Sequence, residues 1–125
     1  MGEAKTEMPI FVKCHAFLTW LIPLTNHFPK VHRHTVTQRL VNAALDLQER
    51  LLEANSRRGP ARVDCLTEAD ATLDKVRHYW RLVYDWRWIT LGQYEHGSRL
   101  VAELGRLLGA WRKQTPVATA RAVRM

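Results

Sequence analysis

A chain of 125 residues that is 46% hydrophobic and 25% charged has room for one globular core and is too apolar to be intrinsically disordered. Its 19 Lys and Arg against 12 Asp and Glu leave a net charge of +7, concentrated in the second half: residues 1–55 carry six basic and five acidic groups, residues 56–125 thirteen and seven. Two cysteines exclude a disulfide framework and point to reduced thiols in the cytoplasm, and the most apolar run, Ala16 to Leu24, is interrupted by Pro23 and too short to span a membrane.

In chain order, four segments carry the helical period and none sustains the alternation of a strand. The first stripe is Ile10, Cys14, Phe17, Leu21, Leu24 and Phe28; Pro23 is expected to kink this helix, and Pro29 to end it or follow it closely. The second is Val36, Leu40, Ala43, Leu47, Leu51 and Ala54, opened by Thr35 and Gln38 in the spacing of a capping box. A breaker-rich loop is expected from Ser56 to Arg62, with Cys65 also in the connection and Thr67 with Asp70 as a weaker cap. The third stripe is Ala69, Leu73, Val76, Trp80 and Val83. A turn near Arg87 to Thr90 leads to a box of Thr90 with Gln93, and then to Tyr94, Gly97, Val101, Leu104, Leu108 and Trp111. Steps of three and four place each set on one helix face, over lengths of about 25–30 Å.

Long amphipathic helices with short connections predict an all-α, antiparallel up-down four-helix bundle over 9–113, between a flexible N-terminus (1–8) and a flexible basic tail (114–125) carrying Arg121 and Arg124. A second apolar stripe runs through Phe11, Leu18 and Ile22, through Tyr79, Leu82 and Trp86, and through Leu100 and Leu107. It predicts either a homo-oligomer built through helix faces or a wide core in one subunit. Gly105 and Gly109, four apart in a helix, suggest close approach by another backbone or helix.

Catalytic signatures are missing. A di-metal bundle needs Glu-x-x-His on two helices, whereas Glu95 and His96 are adjacent and diverge. His32 and His34 have no nearby Cys or carboxylate to complete a metal shell, and group with Lys30 and Arg33 as a positive cluster. There is no phosphate loop, no nucleophile elbow and no paired acid after Tyr84-Asp85. The reading is a non-catalytic protein without metal or cofactor.

The arginines are the informative set, because a planar guanidinium can bind phosphate bidentately. Arg77 and Arg81 share a face of the third helix, and Arg99 and Arg106 a face of the fourth, with Arg112 and Lys113 further on. Arg57, Arg58 and Arg62 crowd one loop. The competing reading is intrahelical ion pairing: Asp74 with Arg77, Arg81 with Asp85, Glu95 with Arg99, Glu103 with Arg106. Among the tryptophans, Trp80 and Trp111 fall on core stripes, and Trp88 is the one expected to be exposed for stacking.

The run Tyr94-Glu95-His96-Gly97-Ser98-Arg99-Leu100, continued by Glu103-Leu104-Gly105-Arg106-Leu107-Leu108-Gly109-Ala110-Trp111, resembles the Avd (accessory variability determinant) proteins of diversity-generating retroelements. These are related to the four-helix bundles encoded by ribosomal-RNA intervening sequences. Trp20-Leu21-Ile22-Pro23 with Phe28-Pro29-Lys30, Ala44-Leu45-Asp46-Leu47, and Ala69-Asp70 with Arg77 and Arg81 are also similar, so the resemblance covers most of residues 8–113. It implies a homopentameric barrel that binds a reverse transcriptase and nucleic acid (template RNA and cDNA) and supports mutagenic retrohoming. By matched position it implies Arg77, Arg81 and Arg106 as contacts. The alternative is a structural bundle of the intervening-sequence type with no reverse transcriptase partner.

Overall fold

The computed structural model describes residues 8–115, and these form four helices with no strand among them. Helix α1 spans Pro9–Leu24, α2 Gln38–Ser56, α3 Gly59–Asp85 and α4 Leu91–Gln114. Each packs on its chain neighbours, most extensively α2 on α3, and α1 against α4 closes the ring. The helices alternate in direction, as expected: Phe11 meets Trp111 at one end, where α1 begins and α4 finishes, and Phe28 meets Trp88 at the other. The expected flexible termini fall largely outside the described residues.

The four predicted stripes form the core. Phe17, Leu21, Leu40, Leu47, Leu51, Leu73, Val76, Val83, Leu104 and Leu108 are all fully buried. Burying side chains of this size stabilises the fold by about 1.5–3 kcal/mol each, before the entropy cost of ordering them. The second stripe is largely absorbed by the same core. Phe11 and Leu18 are buried, Tyr79, Leu82, Leu100 and Leu107 half-buried, and only Ile22 and Trp86 of that set are exposed.

The connections correct several expectations. The loop expected from Ser56 to Arg62 is two extended residues, Arg57 and Arg58. Gly59 then takes a φ of +56, and Pro60 falls in the first turn of α3, where its missing N–H has no intrahelical role. Cys65 and Thr67 therefore lie inside α3, and Thr67 caps nothing. At 27 residues α3 is about 40 Å long, well beyond the equal lengths expected. Pro23 produces no mid-helix kink: α1 ends one residue later, and the chain tightens into a 3₁₀ turn, Thr25–His27.

The entry to α2 also differs. A second 3₁₀ turn, Lys30–His32, runs into a π turn, Arg33–Thr37, in which Thr35 leaves helical geometry (φ −117°, ψ −105°). The Thr35 hydroxyl donates back to the His32 carbonyl at 3.2 Å, so the expected capping box is not formed. The box at Thr90 and Gln93 is complete, with both reciprocal hydrogen bonds made, at 3.1 and 2.9 Å.

Candidate nucleic-acid interface

The basic side chains singled out in the sequence separate into three groups. Arg57 and Arg58 occupy the short link between α2 and α3, at the end of the bundle where α4 finishes with Arg112 and Lys113. Arg62 ties these elements together. Its guanidinium donates to the carbonyls of Ala54 (2.9 Å) and Asn55 (3.4 Å) and lies 5.7 Å from the centre of the Trp111 ring. It closes the last turn of α2, and so does a structural task that the grouping of three loop arginines concealed. Arg112 reaches Asp70 across the α3–α4 groove at 3.2 Å. Arg112 and Lys113 also lie in the last turn of α4, where positive charge is favoured by the helix dipole.

The second group lies along α3, with Arg77 in the groove between α3 and α4. Arg77 pairs with Asp74 at 2.6 Å, and its guanidinium crosses to α4 over Gly105, where a Cβ would stand 2.5 Å from Nη2. Gly105 thus makes room for side chains of α3 in the same chain, so the close approach here is that of a neighbouring helix. The groove floor here is a shallow cavity of about 190 Å³ walled by Trp80, Ser98, Val101 and Ala102. Arg81, one turn on, is exposed and pairs with Asp85 at 3.3 Å. Asp70, Asp74 and Asp85 pair with Arg112, Arg77 and Arg81, so each of these arginines faces a carboxylate.

The third group faces outward from α4. Arg106 hydrogen-bonds Glu103 with two nitrogens, at 2.5 and 3.2 Å. That bond holds the Glu103 carboxyl below its ordinary range, with Lys13 of α1 adding a smaller pull. Three of the four anticipated intrahelical pairs are therefore present, and the fourth, Glu95 with Arg99, is not. Arg57, Arg58, Arg99 and Lys113 are exposed and have no ion-pair partner among the described residues.

The aromatic groups are distributed differently from the expectation. Trp88 is half-buried against Phe28, stacked under His32 at 5.2 Å and flanked by Trp86. Trp86 is the exposed indole, at 46%. Periodicity alone could not separate these two, because both fall in the turn that closes α3. Trp80 is buried, donates from Nε1 to the Tyr94 carbonyl at 3.1 Å and fills the space over Gly97.

The comparison with known families completes the site. The bAvd-like family matches residues 8–115, the whole of the described bundle. The chain belongs to the bAvd-like family. No curated protein and no solved structure matches it significantly. Membership agrees with the resemblance carried by α4, and places the basic groups above on an Avd-family bundle. Among the described residues of this bAvd-like chain, no helix is long and apolar enough to cross a membrane, and no cluster of three or more His, Cys, Asp or Glu is placed to hold a metal ion.

Proposed function

We propose that this bAvd-like protein is a non-catalytic accessory subunit of a diversity-generating retroelement. It acts as a homopentameric adaptor that binds the reverse transcriptase and its template RNA or cDNA, in support of mutagenic retrohoming. Family membership over the whole bundle carries the proposal. The uneven positive charge supports the nucleic-acid part of it, since thirteen basic groups against seven acidic lie in residues 56–125. Lys and Arg neutralise phosphates and release counterions, so binding would be steeply salt-dependent and weakly sequence-selective.

The ion pairs rank the candidate contacts. Arg99 and Lys113 have no ion-pair partner among the described residues, whereas Arg77, Arg81 and Arg106 already face a carboxylate. Binding of template RNA across a salt series tests this. Replacing Arg99 and Lys113 together by Ala is expected to flatten the logarithmic salt dependence by about 1.4, two single-strand phosphate contacts. The same change at Arg81 and Arg106 is expected to do less. A flat salt response of the parent protein, or no capture of a co-expressed reverse transcriptase, would favour the intervening-sequence type of bundle instead.

A further inference from the structure

A cavity of about 340 Å³ lies beside the entry to α2, remote from the end that carries Arg57, Arg58, Arg112 and Lys113. Thr37 forms part of its wall. Thr37 is 8% exposed, and its Oγ1 is buried with no hydrogen-bond partner among the described residues. The π turn explains this. In a regular helix a threonine hydroxyl donates to the carbonyl four residues back, as Thr72 does to Glu68 (2.8 Å) and Thr115 to Trp111 (3.0 Å). For Thr37 that carbonyl belongs to Arg33, and the departure of Thr35 from helical geometry interrupts the turn between them. A buried hydroxyl without an acceptor costs about 1–3 kcal/mol, a cost that an acceptor seated in this cavity would relieve.

The rest of the wall specifies that acceptor. Lys30, Arg33 and His34 bring nitrogen donors from the two short turns, and Gln38 and Asn42 add amides from successive turns of α2. Among the described residues, no carboxylate lines the cavity. Donors of this number exceed what the two oxygens of a carboxylate can occupy, and suit the four oxygens of a phosphate. We propose that this cavity is a phosphate-binding site in which the Thr37 hydroxyl donates to a phosphate oxygen and Lys30 and Arg33 neutralise its charge. The phosphate can belong to a free nucleotide or to a strand backbone.

Titration calorimetry of the full chain with sodium phosphate, with AMP and with a short single-stranded oligonucleotide tests the site, against sodium chloride of matched ionic strength. Thr37→Val keeps the charge and nearly the shape. It is expected to weaken phosphate binding about tenfold, the loss of one hydrogen bond to a charged group. Without phosphate, its thermal midpoint is expected to equal or exceed that of the parent, because no internal bond is lost. Lys30→Ala with Arg33→Ala is expected to remove saturable binding. A tenfold loss shared by phosphate and AMP assigns a free phosphate or nucleotide; the same loss for the oligonucleotide assigns a strand phosphate. Heats no larger than the chloride control, unchanged phosphate affinity in Thr37→Val, or a lower midpoint for that variant without ligand would each overturn the proposal. Arg99→Ala with Lys113→Ala is expected to leave phosphate binding intact, so this site and the RNA-binding reading can fail separately.

Discussion

Cys14 illustrates how one residue reports on the core. Its thiol is 1% exposed and belongs to the α1 stripe that faces the other helices. Burial penalises the thiolate and pushes its pKa up to about 11 from the ordinary 9.0. A raised folded-state pKa means that the folded chain holds the proton longer than the unfolded chain does. The resulting stability is complete below pH 9 and is lost as pH rises towards 11. Urea unfolding at increasing pH is expected to show a loss of about 2 kcal/mol by pH 11 that is missing in Cys14→Ala. A second residue under constraint is Arg87, which closes α3 with a φ of +63. Trp88 N–H donates to the Val83 carbonyl and Arg87 N–H to that of Tyr84, both at 2.9 Å, the paired bonds of a Schellman turn. Glycine is the usual residue at such a position. Arg87→Gly is therefore expected to raise stability by about 1 kcal/mol in urea unfolding. A loss instead would mean that the arginine side chain makes contacts that outweigh its backbone strain.

At the scale of elements, three threonines carry nearly the same spacing pattern and meet three different fates. Thr90 follows a tight turn with extended backbone (φ −78°, ψ 164°) and caps α4. Thr35 sits in the distorted π turn, and Thr67 lies one-third of the way along α3. Thr90→Ala is expected to cost about 1 kcal/mol in urea unfolding, whereas Thr35→Ala and Thr67→Ala are expected to be close to neutral. The pattern was legible in all three, but a capping box acts only where a helix begins. Where α3 begins was decided by Gly59 and Pro60: the former reverses the chain, the latter fits the first turn, and the helix gains about ten residues over its core stripe. The same Gly-Pro pair reads locally as a loop, because a breaker and a helix-start signal share one composition.

At the scale of the whole molecule, two of the four glycines of α4, Gly105 and Gly109, bear differently on the proposed assembly. Gly105 is occupied by Arg77 and Leu73 of the same chain, whereas a Cβ on Gly109 would meet nothing within 4 Å. In an isolated subunit Gly109→Ala would gain about 1 kcal/mol of helix propensity. In the proposed pentamer, a neighbour packed on that open position would be displaced by the added methyl. Gly109→Ala is expected to unfold at the same or higher temperature while assembling less well, as sedimentation velocity over a range of concentrations would show. Assembly equal to that of the parent would place Gly109 outside the interface.

The sequence by itself determined the helical class, the four core stripes, the antiparallel order and the family, because each depends on periodicity and on runs of neighbouring residues. It also carried the uneven charge that points to an anionic partner. Tertiary structure alone decided how that charge is spent: Asp70 reaches Arg112 across a groove, Arg62 closes a helix eight residues away, and Arg99 has no ion-pair partner among the described residues. It likewise left the Thr37 hydroxyl without an acceptor among the described residues, at a π turn that no residue pattern announced. The physical reason is common to these cases. Period and composition fix which face of a helix turns inward, whereas the partner of a polar group depends on the rotation and offset of the neighbouring helix, and these are set by packing of the whole core.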